Sequence, residues 1–192
     1  IAPIIGTHAA STAGLGNSTG VEIEGGASVN HIGPGTVGTG NVSDGLNVIS
    51  GNSGSGVGIV SSPGNFISGN YIGTDLNGTV SLPNLGAAGV IVVDNTGGTT
   101  IGQQVTIVKG TIATPANVIS GNSYDGIILD GPNNNVWGNF IGTDKTGLSG
   151  LANLKGVVTS RTTNSFIGGS QAGLGNVISG NYGDGFNPGN GV

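Results

Sequence analysis

The sequence predicts an all-β protein: a right-handed parallel β-helix of about six coils of roughly 30 residues, with three short strands per coil. Three observations support this prediction. A six-residue phrase, Asn-x-(Ile/Val)-x-Gly-Asn, recurs along the chain. No window carries the apolar spacing of an amphipathic helix. Short runs of β-branched residues instead alternate with glycine- and asparagine-rich turns, and such self-similar units are typical of a solenoid.

The asparagines of the repeated phrase are the first candidate site. Identical copies of the phrase begin at Asn47, Asn117 and Asn176, and two relatives begin at Asn65 and Asn134. We expect these five residues to open strands at one corner of the coil. Because an amide both donates and accepts hydrogen bonds, stacked copies would form a ladder along the rod. Sugar binding by the same amides is the functional alternative.

Two further phrases divide the chain into coils. An Ile-Gly-Thr-(Asp/His) phrase occurs at 5–8, 72–75 and 141–144, and an asparagine (Asn17, Asn84 or Asn153) follows twelve residues after its isoleucine. Strand-opening glycines followed by a branched or aromatic residue lie 36, 33, 37, 30 and 29 residues apart, at Gly20, Gly56, Gly89, Gly126, Gly156 and Gly185. The prediction is one domain, residues 1–192, with five complete units and a partial unit at each end.

Alternation within the strands predicts the side chains that fill the interior, because successive residues of a strand point to opposite faces. The inward residues are expected to be Val21, Ile23, Ile49, Val57, Ile59, Ile67, Ile72, Val90, Val92, Ile119, Ile127, Leu129, Val136, Ile141, Val157, Ile167 and Ile178. Differences in length fall in the turns at 33–46, 102–116 and 169–175. A β-sandwich also uses many short strands, but it does not explain identical phrases at related positions.

The composition excludes several classes of protein. Four basic residues in a chain of net charge −5 leave no phosphate-binding stripe, so nucleic acid is not an expected partner. The chain has no cysteine, which excludes disulfides and thiolate metal sites. No apolar run is long enough for a membrane-spanning helix. Because the first residue is Ile1 rather than Met, we expect a mature product or a segment of something longer. The favoured interpretation is a segment of a longer repeat protein, whose partners are neighbouring β-helix repeats or like chains end to end.

The acidic turns are the candidate ion sites. Asp75 and Asp144 end two of the Ile-Gly-Thr phrases, and Asn77 follows Asp75 at a spacing that faintly resembles a calcium loop. Only one carboxylate per turn is present, whereas Ca²⁺ takes six or more oxygens. The favoured interpretation is that these residues cap turns by accepting backbone N–H bonds. No cofactor is predicted, and Ca²⁺ is the one ion that these turns could hold.

No residue is predicted to be catalytic. Carbohydrate-active β-helix enzymes need clustered carboxylates, or Ca²⁺ with a basic residue, on one outer face. Glu22 and Glu24 are expected to point outward together, but Arg161 is the single arginine and neither His8 nor His31 lies in an identifiable acid pair. Other polar residues have simpler interpretations. Ser55, Asp125 and Asp184 each precede an opening glycine and are expected to serve as turn acceptors, and the threonine pairs 99–100 and 162–163 do not recur as an ice-binding array would require.

The order of the phrases resembles the parallel β-helix repeats of large bacterial and archaeal cell-surface or secreted proteins. The resemblance covers essentially the whole chain, with departures at His8, at Gln103-Gln104 and in two enlarged turns. It implies a right-handed β-helix and an extracellular or cell-surface location, and it implies no particular activity.

The expected function is therefore a non-catalytic structural or interaction module, acting as a stalk, matrix, fibre or adhesin. The alternative is a carbohydrate-active enzyme or a polysaccharide-binding module, with a surface polysaccharide as partner.

Overall fold

Short strands make up the regular structure of the chain. The computed structural model describes residues 3–8, 14–33, 46–103, 107–108, 111–112 and 116–189, with 107–108 and 111–112 described by their backbone only. None of these residues is helical, and therefore none belongs to a helix that could cross a membrane. The strands are β1 (Ile4–Ile5), β2 (Val21–Ile23), β3 (His31–Ile32), β4 (Asn47–Ile49), β5 (Val57–Val60), β6 (Phe66–Ile67), β7 (Asn70–Ile72), β8 (Ala88–Val93), β9 (Thr100–Gly102), β10 (Ile107–Val108), β11 (Thr111–Ile112), β12 (Val118–Ile119), β13 (Asp125–Asp130), β14 (Asn135–Trp137), β15 (Phe140–Ile141), β16 (Val157–Ser160), β17 (Phe166–Ile167), β18 (Val177–Ile178) and β19 (Phe186–Pro188).

The chain visits three parallel sheets in a fixed order, and this confirms the predicted right-handed parallel β-helix. Sheet 1 contains β2, β5, β8, β13, β16 and β19; sheet 2 contains β3, β6, β9, β14 and β17; sheet 3 contains β1, β4, β7, β12, β15 and β18. Each coil runs from sheet 1 to sheet 2 to sheet 3 and then climbs to the next coil. Strands β10 and β11 form a small antiparallel hairpin within the predicted insertion at 102–116.

The predicted inward residues form the core. In sheet 1, Val57 pairs with Val90, and Ile127 pairs with both Val90 and Val157, so equivalent side chains stack directly on one another. The buried cluster, with the partly buried residues packed on it, includes every residue expected to point inward, and adds Ile5, Ile32 and Ile101. Burying one such side chain contributes about 1.5–3 kcal/mol. Stacked branched side chains therefore supply the main stabilising term of the fold.

The strand-opening glycines are required by this packing. A Cβ on Gly126 would lie 2.6 Å from the Gly156 oxygen, 2.9 Å from Cγ2 of Ile141 and 3.0 Å from Nδ2 of Asn153. Gly56 is the equivalent glycine two coils earlier, and a Cβ on it would lie 2.7–2.9 Å from the equivalent atoms of Gly89, Ile72 and Asn84. Glycine recurs at these positions because the chain passes directly beside the isoleucine stack and an asparagine of the same corner.

Two consecutive coils differ, so the true repeat is a pair of coils. At the corner between sheets 3 and 1, antiparallel bridges join Thr7 to Gly14, Thr74 to Ser81 and Thr143 to Gly150. These bridges follow β1, β7 and β15, which are alternate strands of sheet 3. The intervening strands β4, β12 and β18 lead into a short turn instead.

The long loops of alternate coils also cover the outer face of sheet 3. A Cβ on Gly78 would lie 2.9 Å from Cε2 of Tyr71, and one on Gly147 would lie 3.2 Å from Cε1 of Phe140. Between these two rings along the sheet lies Val118, which is 1% exposed although it points away from the core. The loops therefore build a second apolar layer on one side of the rod.

Candidate functional site

Three of the five predicted asparagines stack at the corner between sheets 2 and 3. The Nδ2 atom of Asn47 donates to Oδ1 of Asn70 (2.8 Å), and Nδ2 of Asn117 donates to Oδ1 of Asn139 (2.8 Å). The ladder continues from Asn70 to Asn117 and from Asn139 to Asn176. The side-chain amides also donate to backbone carbonyls of the preceding coil, as Asn117 does to Ile67 at the end of β6 (2.8 Å). These amides satisfy the polar groups at a buried corner.

The expectation of a single corner is wrong for Asn65 and Asn134. Both residues precede strands of sheet 2, so they lie at the corner between sheets 1 and 2. Asn65 Oδ1 accepts from the backbone and side chain of Asn30, and Asn134 Oδ1 accepts from the backbone of Thr99 at 3.0 Å. The repeated phrase is one strand with an asparagine at each end. In coils with inserted residues between sheets 2 and 3, that strand belongs to sheet 3. In the alternate coils it belongs to sheet 2, and the inserted residues lie between sheets 3 and 1.

The longest ladder was not predicted and lies at the corner between sheets 3 and 1. It consists of Asn17, Asn52, Asn84, Asn122, Asn153 and Asn181, each joined to the next by its side-chain amide at 2.8–3.3 Å. The signal was present in the sequence: three members follow the Ile-Gly-Thr phrase by a fixed interval, and three end an identical phrase. Alternation of these two sources along the chain hid the fact that they form one stack.

Asp75 and Asp144 accept hydrogen bonds within their own loops. Oδ1 of Asp75 accepts from the backbone N–H of Thr79 (2.8 Å) and Val80 (2.9 Å). Oδ1 of Asp144 accepts from the N–H and the hydroxyl of Thr146 at 3.1 and 2.7 Å. Burial alone would raise the pKa of each carboxyl, but the hydrogen bonds outweigh it and lower the pKa of both. These contacts are those of a turn cap.

Asn77 lies in the same loop and is exposed. Its backbone and its side chain both contribute to lowering the pKa of Asp75. Asp75 and Asp144 occupy different loops, which follow β7 and β15 of sheet 3, with β12 between those strands. In the described ranges no three His, Cys, Asp or Glu residues are grouped as metal ligands. Calcium binding at these loops stays a prediction.

The residues considered for catalysis lie apart from one another. Glu22 and Glu24 are exposed at the first coil, and His31 stacks on Phe66 with ring centroids 4.6 Å apart. The Arg161 guanidinium forms a two-pronged salt bridge with Asp130, which lowers the pKa of that carboxyl. Of the threonine pairs 99–100 and 162–163, only Thr163 is exposed, so they form no flat array.

A second group of polar residues comes together at the corner between sheets 3 and 1, directly before the opening glycines. Asp125, Lys155 and Asp184 occupy this position on three consecutive coils; we call them the charged row. The Gly126 N–H donates to the Lys155 carbonyl (2.8 Å), and the Gly156 N–H donates to the Asp184 carbonyl (2.9 Å). Lys155 therefore stands between the two aspartates in the row, and its ammonium acts on the Asp125 carboxyl.

The two carboxyls of the charged row have different surroundings. Burial raises the pKa of Asp125, although the Lys155 ammonium and a hydrogen bond from the Lys155 backbone oppose the shift. Oδ1 of Asp125 is buried without a hydrogen-bond partner. Asp184 is exposed, and its Oδ2 accepts from Nδ2 of Asn187 at 2.6 Å. Both carboxyls therefore accept a hydrogen bond, Asp125 from the Lys155 backbone and Asp184 from the Asn187 side chain.

Exposed apolar side chains line the charged row. Tyr124, Leu154 and Tyr182 lie on the same three coils and are 52%, 42% and 86% exposed; we call them the tyrosine row. The Leu154 N–H donates to the Tyr124 carbonyl (2.7 Å), and the Gly183 N–H donates to the Leu154 carbonyl (2.7 Å). Sequence reasoning missed this row because its members stand at different distances from the ladder asparagines of their coils.

Comparison with known proteins gives no further identification. No family model matches the sequence, and the searches of curated proteins and of solved structures return no match. Function is therefore argued from the fold and from the contacts of these residues.

Proposed function

We propose that this chain is a non-catalytic structural and interaction module of an extracellular or cell-surface β-helix protein, serving as a stalk, matrix, fibre or adhesin segment. One observation carries the proposal: the buried asparagines are used in continuous ladders along the rod. In the longest ladder, Nδ2 of Asn122 donates to Oδ1 of Asn153 (3.0 Å) and to the Ile72 carbonyl (3.1 Å). Groups engaged in this way stiffen a scaffold and are not free to act on a substrate.

The arrangement suits a load-bearing role. Pulling neighbouring coils apart requires many hydrogen bonds to break together. These are the backbone hydrogen bonds of the sheets and the asparagine side-chain hydrogen bonds of the three corners, and all of them run along the rod axis. Each such bond contributes about 0.5–1.5 kcal/mol net. The proposed partners are neighbouring β-helix repeats or like chains, with surface polysaccharide as the ligand of an adhesin. Charge repulsion opposes such contacts little, because only 7% of the residues are charged.

The test combines shape, mechanics and activity in one preparation. We expect small-angle X-ray scattering to show a rigid rod, and single-molecule pulling along the axis to unfold it in one cooperative step. Incubation with a panel of plant and bacterial polysaccharides should release no new reducing ends and no unsaturated products. Turnover of any of these polymers would contradict the proposal, as would a flexible particle that extends gradually under force.

A carbohydrate-active enzyme is the second candidate, and the charged row is the observation that favours it. Asp125 has a raised pKa, as a general acid requires. Asp125 and Asp184 lie two coils apart, roughly 10 Å along the rod on the usual strand spacing. Inverting glycosidases separate their carboxyls by about 6.5–9.5 Å, so this spacing lies at the upper limit of that range. If polysaccharide turnover is observed and is abolished in Asp125→Asn, this candidate replaces the first.

A further inference from the structure

The tyrosine row and the charged row lie side by side along the rod. In each coil the charged residue directly precedes the opening glycine. The apolar residue lies one or two positions before the charged residue in the same corner, as Tyr124 does before Asp125 and Leu154 before Lys155. Both rows therefore advance by one coil per step, about 4.8 Å on the usual strand spacing. The result is a strip with apolar and hydrogen-bonding groups in parallel.

The exposure of the tyrosine row has no structural explanation in the described part of the chain. Tyr182 is 86% exposed, whereas the rings of Tyr71 and Phe140 on sheet 3 are partly covered by glycines of the long loops. Tyrosine is favoured at binding surfaces because its ring provides a large apolar area at a small cost in side-chain entropy, and its hydroxyl remains free to hydrogen-bond. Exposed apolar side chains in a contiguous row mark an interaction site.

The charged row supplies both kinds of hydrogen-bonding group. The carboxylates of Asp125 and Asp184 accept hydrogen bonds, and the ammonium of Lys155 donates three. Vicinal hydroxyl groups are both donors and acceptors, so they match an acceptor–donor–acceptor series. An anionic ligand would meet two carboxylates for one ammonium and is disfavoured.

The spacing between coils indicates which kind of extended ligand fits the strip. The rise of about 4.8 Å per coil is close to the advance of one sugar residue in an extended, equatorially linked chain. Such a chain also presents the C–H faces of its rings to one side, where tyrosine and leucine side chains can cover them. A peptide strand advances by about 3.3 Å per residue, so its side chains would not keep step with the coils.

We propose that the strip formed by the two rows is a binding site for a neutral, β-1,4-linked glycan lying along the rod axis. The sugar ring faces contact Tyr124, Leu154 and Tyr182, and the ring hydroxyls bond to Asp125, Lys155 and Asp184. The proposal rests on the proposed interaction role, because it names the ligand of a non-catalytic module. No bond of the glycan is made or broken.

The experiment is titration of the isotope-labelled chain with cellohexaose and with N-acetylated chitohexaose, followed by amide chemical shifts. We expect a Kd of about 1 mM or tighter for at least one of these neutral probes, with shifts confined to residues 122–126, 153–156 and 181–185. The double variant Tyr124→Ala/Tyr182→Ala should bind at least about tenfold more weakly. Lys155→Met should weaken binding several-fold, and Leu148→Ala, on an exposed loop, should change nothing.

Several outcomes would overturn the glycan site. These are absence of binding to both neutral probes, shifts centred elsewhere, unchanged affinity in the double variant or in Lys155→Met, and tighter binding of an oligogalacturonate or of a ten-residue proline peptide. If the double variant loses thermal stability, Tyr182→Ala alone serves as the test. Failure of the site is distinguishable from failure of the proposed function, because cleavage of a bound hexasaccharide would contradict the non-catalytic role and leave the location of the site intact.

Discussion

At the scale of single residues, an asparagine side chain takes the place of a backbone amide in the hydrogen bonding between coils. Asn117 is fully buried; its Nδ2 atom donates to the Ile67 carbonyl below and to Asn139 Oδ1 above, and its own Oδ1 accepts from Asn70. A corner cannot continue the strand hydrogen bonds, because the chain changes direction there. The amide supplies the missing partners, so each coil stays in register with the next.

Replacing one ladder asparagine should therefore be costly. We expect Asn117→Ala to lower the free energy of unfolding by about 1–3 kcal/mol, because buried carbonyl and amide partners lose their hydrogen bonds. Asn95→Ala is the matched control, since Asn95 is exposed in a turn. Thermal and chemical unfolding of the two variants measures the difference. Equal melting temperatures would show that the ladder contributes nothing.

A methyl group added at a strand-opening glycine should have a comparable effect. In Gly126→Ala the new Cβ would lie 2.6 Å from the Gly156 oxygen, which is backbone and cannot move without displacing the next coil. Overpacking of this kind costs about 1–3 kcal/mol. Gly175→Ala is the control, because nothing lies within 4 Å of its added Cβ. The prediction fails if denaturant midpoints of the two variants coincide.

At the scale of elements, the capped loops make part of the stability depend on pH. Hydrogen bonds to the ionised carboxylate lower the pKa of Asp144 in the folded state. Its contribution to stability is therefore complete well above the unfolded value of about 3.9 and is lost as the pH falls through the lower folded value. We expect Asp144→Asn to flatten the acid limb of a melting-temperature profile below about pH 5. A profile parallel to that of the unmodified chain would contradict this.

The same loops decide the calcium question. If Asp75 and Asp144 act only as turn caps, EDTA should leave the melting temperature unchanged, because their oxygens already accept hydrogen bonds from the loop. The double variant Asp75→Asn/Asp144→Asn is the control. A fall in melting temperature with EDTA that Ca²⁺ reverses, and that the double variant does not show, would establish a calcium site instead.

The sequence specified the elements well where a single physical rule applied. Ile49, Ile72 and Ile119 were expected to point inward, and they stack in sheet 3 because period-two alternation leaves no other side for them. The placement of Asn65 and Asn134 was wrong, because the same short strand fits either of two corners. Only pairing across coils decides which, and that information is non-local.

The candidate strip could not have been predicted by the same reasoning. Tyr124 stands two residues after its ladder asparagine, whereas Tyr182 stands one residue after its own. Lys155 lies 30 residues from Asp125 and 29 from Asp184, in coils of different length. No local pattern connects such residues. Their proximity follows from the register of the opening glycines, which the structure supplies.

At the scale of the whole molecule, the unit that repeats is a pair of coils. The isoleucines of the last two Ile-Gly-Thr phrases, Ile72 and Ile141, are 69 residues apart. Deleting residues 73–141 joins equivalent points of two pairs and leaves the alternation of loops and short turns intact. We expect this shortened chain to melt cooperatively, at a temperature somewhat below that of the full chain because fewer coils stack.

A deletion of one coil is the contrasting variant. Removing residues 50–72 joins Ile49 to Gly73, so a long loop would follow β4 directly beside the loop that follows β1. The two loops would compete for the space now occupied by the short turn at Gly51, where a Cβ would already lie 2.8 Å from the Gly14 Cα atom. We expect circular dichroism to show a far lower melting temperature than for the longer deletion. The reverse order would contradict the pair as the repeating unit.

Because of this alternation, such a chain can gain or lose coils only in even numbers without changing which loops are neighbours. Duplication or loss of one coil brings like loops together, whereas duplication or loss of two preserves every neighbour along the rod. Insertions and deletions that preserve the fold are therefore expected in steps of about 70 residues, the length of one coil pair. Duplication of a coil pair that carries surface residues such as Tyr124 and Leu154 would place their copies on the same side of the rod. A lengthened rod would thus present copies of one site in a line, and its hold on a long polymer would grow with each pair added.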